Sequence, residues 1–196
     1  MRRSGPRGGF TLVELLATIG IMVFVLSITI IAFAPALRTA GVKDGARRLR
    51  VAIEMARIRA IQQRRHVRFE AALDNENPEQ WVVSPNAGDR SYQWEALPEF
   101  VAVRTDVGGR SFSDEISSLS VTFAPDGSVE SVVVDEGAPE DDPGIFYIRL
   151  ETTRQITGPA DEVEAEREAL YRYVEVNAMT GSIRSLNHQE YADLGN

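Results

Sequence analysis

Four residues near the start of the chain, Gly8, Gly9, Phe10 and Glu14, have types and spacing that allow chemistry. Two small residues stand immediately ahead of a long oily run. In an ordinary secretory signal the small residues follow the apolar stretch and the helix is discarded. A cut after Gly9 would instead remove the basic head with Arg2, Arg3 and Arg7 and keep the helix. Phe10 would then carry a free amine four positions, about one helical turn, before Glu14. A lone carboxylate at the edge of hydrocarbon costs on the order of a few kcal/mol. An amine of the same or a neighbouring chain would offset that cost. Two plainer readings stand beside this one: an uncut signal-anchor with a glycine-rich start, and a Glu14 resting in the lipid headgroup layer.

Other chemistries have little to draw on. There is no cysteine, so neither a disulfide nor a thiol is available. His66 and His188 are far apart, which leaves little for a histidine-based metal site or a Ser-His-Asp triad. The acidic loop Asp135–Gly144 is rich in oxygen and could hold calcium, but its spacing is not that of an EF-hand, and Pro139 and Pro143 favour a solvated linker. Asp161 to Glu168 forms a second acidic patch, expected to be exposed. Trp81 and Trp94 fit core packing better than a ligand platform. No nucleophile, base and orienting group form a recognisable motif. The expectation is therefore no enzyme, no metal and no cofactor.

The element behind the first four residues is a helix. Leu15 to Ala34 is 20 residues without a charge. At ~1.5 Å per residue that matches a ~30 Å hydrocarbon core. The arginines on its N-terminal side place the N-terminus in the cytoplasm and the rest across the membrane. Pro35 lacks an amide hydrogen and predicts a bend or break. Helical periodicity returns over 46–64, where Ala46, Leu49, Ala52, Ile53, Ala56 and Ala60 share a stripe. Arg47, Arg48, Arg50, Arg57, Arg59, Arg64 and Arg65 occupy much of the rest. A nucleic-acid site would gather such arginines on one face. Here they surround the helix, which reads as a solvated surface that also meets acidic neighbours.

Charge divides the chain. Residues 1–68 hold 13 Lys+Arg against 3 Asp+Glu, +10, and residues 69–196 hold 8 against 26, −18, for the net −8. Such polarity suits head-to-tail association and makes the acidic part a poor ligand for nucleic acid. That part reads as strands at Val67–Ala71, Gln80–Ser84, Phe100–Arg104, Leu119–Phe123, Ser128–Val134, Ile145–Glu151, Leu170–Val176 and Ser182–Ser185. Leu119, Val121 and Phe123 alternate with polar residues, as do Phe146, Ile148 and Leu150. Asp126-Gly127 and Thr180-Gly181 are hairpin signals. The fold class is α+β, a long N-terminal helix packed on antiparallel sheet.

Three stretches resemble one family. Gly9-Phe10-Thr11-Leu12-Val13-Glu14-Leu15 is similar to the start of type IV pilins and type II secretion pseudopilins. Phe123-Ala124-Pro125-Asp126-Gly127 resembles the F-x-P-D-G turn of the H-type minor pseudopilins, a family that includes FimT/FimU-like minor pilins. Val174 to Arg184, with Asn177, Thr180 and Gly181, resembles that family's terminal V-x-V-N-x-x-T-G-x-I-R hairpin. Residues 72–118 and 135–169 carry no such likeness.

The resemblance implies a leader at 1–9, cut after Gly9 by a prepilin peptidase that then N-methylates Phe10. It implies a transmembrane and assembly helix at 10–37, a periplasmic domain at 38–196, and a role for Glu14 in assembly. The implied location is the bacterial inner membrane, single-pass, then the pseudopilus. The implied partners are the peptidase, major and other minor pseudopilins, the inner-membrane assembly platform and membrane lipid; nucleic acid is not expected. The implied function is that of a minor pseudopilin at the tip of a fibre that drives protein export. A minor pilin of a type IV pilus, for assembly initiation, adhesion or DNA uptake, is the near alternative. A membrane-tethered periplasmic enzyme or sensor is the distant one.

Overall fold

The computed structural model of the chain describes residues 12–72, 80–84, 95–97, 101–107, 112, 115–135, 137–141, 143–152, 168 and 170–194. Helix α1 spans Leu12–Gln63. The chain forms two compact units, Met1–Leu37 and Arg38–Asn196, and α1 contributes to both.

In the first unit every residue from Leu12 to Ser27 is exposed, with Leu12 at 77% and Phe24 at 67%. A helix that is apolar all round is one that an apolar medium or other helices cover. Among the described residues no helix is long and apolar enough to cross a membrane. The described side chains of the uncharged run stop at Ser27, whereas its sequence continues to Ala34.

The break expected at Pro35 does not occur, because α1 is continuous through it and through Gly41 and Gly45. A proline removes a single amide donor, and the turns on either side keep theirs. The helix expected over 46–64 is thus the last part of a much longer one. Its core stripe also starts earlier. Val42, Ala46, Leu49, Ile53, Ala56 and Ala60, spaced by four and three, are each at most 1% exposed.

In the second unit the strands are β1 (Val67–Ala72), β2 (Gln80–Ser84), β3 (Glu95–Ala96), β4 (Val101–Thr105), β5 (Ser118–Phe123) and β6 (Val129–Val134). They continue with β7 (Glu140–Asp141), β8 (Ile145–Thr152), β9 (Arg172–Asn177) and β10 (Ile183–Asn187), and helix α2 (His188–Asp193) closes the series. Every expected strand is present, with ends shifted by a residue or two. The strands form two antiparallel sheets, ordered β3-β2-β1-β5-β6-β7 and β10-β9-β8-β4.

Alternation decides the faces. On β5 and β8 every second residue is buried, including Leu119, Val121 and Phe123, then Phe146, Ile148 and Leu150. These join Val67 and Phe69 of β1, Val174 and Val176 of β9 and the α1 stripe in one hydrophobic cluster. Ala46, Ala56 and Ala60 are the small residues of the helix stripe in that cluster.

The acidic loop differs from its expected form as a solvated linker. Glu140 and Asp141 pair with Val132 and Ser131 and make β7 the edge of the larger sheet. Two carboxylates on a two-residue edge discourage further strand addition. Trp81 lies in β2, its backbone opposite Ala71 and Glu95. Its side chain, Trp94 and the acidic stretch 161–167 lie outside the described residues.

Candidate functional site

The two turn motifs come from different sheets and meet on α1. In the β5–β6 turn the amide of Gly127 donates to the Ala124 carbonyl at 2.9 Å, and the amide of Ala124 donates to the Ser128 carbonyl at 2.9 Å. Asp126 Oδ1 accepts from the Ser128 hydroxyl at 2.6 Å and the Ser128 amide at 2.9 Å. Those two bonds hold the exposed Asp126 carboxyl below the usual carboxylate range, the hydroxyl contributing most. Phe123 is fully buried and anchors the turn to the core, and Pro125 is half-buried.

The β9–β10 turn is built the same way. Asn177 Oδ1 accepts from the Thr180 amide at 2.9 Å, and the Gly181 amide donates to the Asn177 carbonyl at 2.7 Å. Gly127 and Gly181 have φ of +87° and +64°, a conformation that glycine reaches without a Cβ penalty.

Arg57 joins the turns. Its Nε donates to the Gly127 carbonyl at 3.1 Å, and its Nη2 donates to the Thr180 carbonyl at 3.0 Å. The Val129 amide adds a direct bond to the Ala178 carbonyl at 2.8 Å, and the Ala178 amide donates to the Gly144 carbonyl at 2.7 Å. The packing is tight at both glycines, against a side-chain tip at Gly127 and against backbone at Gly181. A Cβ on Gly127 would lie 2.7 Å from Ile61 Cδ1, and one on Gly181 would fall on the Gly127 carbonyl oxygen.

The structure therefore brings together Phe123, Pro125, Asp126, Gly127, Asn177, Thr180 and Gly181. Glu14 is exposed in the first turn of α1, in the other unit, and Gly9 and Phe10 lie outside the described residues. Sequence reasoning missed Arg57 by grouping it with the other helix arginines. Its phase distinguishes it, since it lies four residues after the buried Ile53 and so borders the core stripe. Arg48 and Arg50 instead pair with Asp44 and Glu54 of the helix itself, at 2.8 and 3.9 Å.

Most polar groups at the junction are bonded to backbone, which fixes the two turns to the helix. Asp135, just after β6, likewise caps the start of β5. Its Oδ1 accepts from the Ser117 amide at 2.6 Å and the Ser118 amide at 3.1 Å. Among the described residues no three His, Cys, Asp or Glu side chains converge to hold a metal ion.

A long N-terminal helix seated on antiparallel sheets, with hairpin turns of both sheets keyed to it, is a type IV pilin-like fold of the α+β class. Residues 45–156, more than half of the 196, match the family described as type II transport protein GspH, and the chain belongs to that family. The F-x-P-D-G turn lies inside the matched span, and the β9–β10 hairpin lies beyond it. Two crystal structures of the type IV minor pilin FimU from Pseudomonas aeruginosa, in space groups P21 and P65, are similar at 14% identity. Their TM-scores are 0.45 and 0.44, with 76% and 75% of this chain covered and 90% and 94% of theirs. No curated protein sequence matches the chain.

Proposed function

We propose that this protein is a minor pseudopilin of a type II secretion system. Membership of the GspH family carries the reading, and the Gly9 to Leu15 sequence supports it. Prepilin peptidase cuts after Gly9 and N-methylates Phe10. Residues 10–37 then anchor the chain in the inner membrane with its domain in the periplasm. An exposed apolar helix is stable only in lipid or against other helices, and close packing of helices in lipid gathers the subunits. Glu14 meets the new amine, of its own chain or of a neighbour, so that neither charge is left alone near hydrocarbon. Subunits then stack head to tail in an open helical array that ends at the tip. The chain contributes shape and recruitment to this assembly and no catalytic step.

The test is a deletion strain complemented with wild type or with Glu14→Ala. The expected mature chain lacks nine residues, begins at N-methylated Phe10 and restores export of type II cargo. Glu14→Ala should insert normally but lose crosslinks to the other subunits. A mature chain that still begins at Met1 would end the proposal. Intact export with loss of surface pili would make the protein a type IV minor pilin instead.

A further inference from the structure

The outward face of the β10-β9-β8-β4 sheet carries an aromatic socket that the chain fills with its own tail. Tyr191 of α2 stacks on Tyr173 of β9, with ring centroids 4.1 Å apart and planes 6° from parallel. Its ring also meets Tyr147 of β8 edge-on at 5.0 Å and Phe112 edge-on at 6.1 Å. Arg149 backs the socket, its guanidinium 4.9 Å from the Phe112 ring and 4.6 Å from the Tyr171 ring. The Phe112 carbonyl accepts from Arg149 at 3.1 Å, and Glu151 lies 3.0 Å from the same guanidinium. With the tail in place Tyr173 is 2% exposed, and burial pushes its phenol up to about 12.

Walls and plug are held differently. Tyr147 and Tyr173 stand on paired strands, with Arg149 opposite Tyr173 in the register. The plug is a six-residue helix with no buried residue. So short a helix does not persist by itself. The Asn187–Glu190 capping box ties only the first turn of the helix to Asn187, the last residue of the edge strand β10. What fastens α2 is chiefly its rings: Tyr191 in the socket and His188, whose Nδ1 lies 3.2 Å from the Tyr173 hydroxyl. Segments with few buried contacts open long before the core does. The tail also leaves from β10, an edge strand with half-exposed to exposed residues, so no other strand must move to release it.

We propose that α2 is a latch, and that the opened socket takes the C-terminal segment of a second copy of this chain. That segment fits because it is the one the socket already holds, and exchange of an identical element is a low-cost route to association. The inference is independent of the secretion reading.

The test uses the full chain in detergent micelles and a fluorescent peptide of residues 187–196. In hydrogen exchange the α2 amides should be at least about 100-fold less protected than those of β8 and β9. A chain ending at Asn187 should bind the peptide, and the Tyr191→Ala peptide should bind about tenfold more weakly. The intact chain should bind the wild-type peptide less well, because its own tail competes. Full-length Tyr191→Ala keeps every strand and serves if the shortened chain does not fold; it should bind the peptide more tightly than wild type. Three results would each overturn the latch: α2 amides as protected as the core strands, equal binding of the two peptides, or equal binding by wild type and Tyr191→Ala. A scrambled peptide that binds as well as the native one would overturn the second copy as occupant.

Discussion

Alanine at Gly181 and at Gly144 should separate the cost of a backbone conformation from the cost of disturbing the turn junction. The two glycines have nearly the same φ, +64° and +68°. A Cβ on Gly144 meets open space, so Gly144→Ala costs only the left-handed conformation, about 1 kcal/mol. A Cβ on Gly181 lands on the Gly127 carbonyl oxygen and 2.6 Å from Arg57 Nε. The turn must retreat. That retreat breaks or lengthens the two Arg57 bonds, 3.1 and 3.0 Å, and strains the Val129–Ala178 bond of 2.8 Å.

A buried bond to a charged donor is worth about 1.5–3 kcal/mol. Arg57 is partly exposed, so ~1 kcal/mol for each of the three bonds is the appropriate scale. With the conformational cost the loss at Gly181 comes to about 4 kcal/mol. For a domain of this size each kcal/mol moves Tm by about 2–4 °C. The expected shifts are about 2–4 °C for Gly144→Ala and about 8–16 °C for Gly181→Ala, read by circular dichroism or calorimetry at one pH. Adding Arg57→Ala to Gly181→Ala should cost about 2 kcal/mol less than the sum of the two singles, because both remove the same two Arg57 bonds. Equal shifts at the two glycines, or full additivity with Arg57→Ala, would refute the junction as described.

Arg57→Ala alone should cost about 2 kcal/mol, seen as a lower urea midpoint at unchanged m. Arg57→Lys should recover about half of that, because a single ammonium reaches one carbonyl where the guanidinium fork reaches two. Asp106 tests burial. Desolvation raises its carboxyl above the ordinary 3.8, although its Oδ1 accepts from the Tyr147 amide at 2.7 Å. A raised carboxyl holds its proton more firmly folded than unfolded, so its penalty is full above the raised value and fades as pH falls through it. Asp106→Asn keeps the acceptor oxygen without the charge. It should be at least as stable as wild type at neutral pH, with the gap closing on acidification; a gap that is constant or grows in acid would count against this.

The parts legible in the sequence are those set by local pattern. Leu119–Val121–Phe123 and Phe146–Ile148–Leu150 alternate, and both segments are strands whose alternate residues face the core. The parts that were not legible depend on distant partners. Val101 pairs with Thr152 and Val67 with Phe123, and nothing in either segment states which of two sheets it joins. β3 and β7, of two residues each, are too short to show a period. The N-cap of α2 was written as Asn187-x-x-Glu190, yet no apolar run follows to mark a helix. At Pro35 no break follows, because a local breaker is outweighed by the helical turns around it.

At the candidate site the glycines and the Asp and Asn of the two turns were visible, and Arg57 was not. The reason explains why the motifs have the letters they have. Arg57 donates only to backbone carbonyls, so nothing at positions 127 or 180 advertises a cationic partner. What the motifs record is the absence of side chains: a Cβ at 181 would collide with the Gly127 carbonyl, and one at 127 would displace the tip of Ile61, and both glycines have positive φ. Core positions such as Val121 or Ile148 accept exchanges of similar volume at modest cost. Position 181 does not, because its tolerance is set by the backbone of Gly127. The two downstream motifs therefore meet at one joint, where Arg57 of the helix holds a hairpin turn of each sheet.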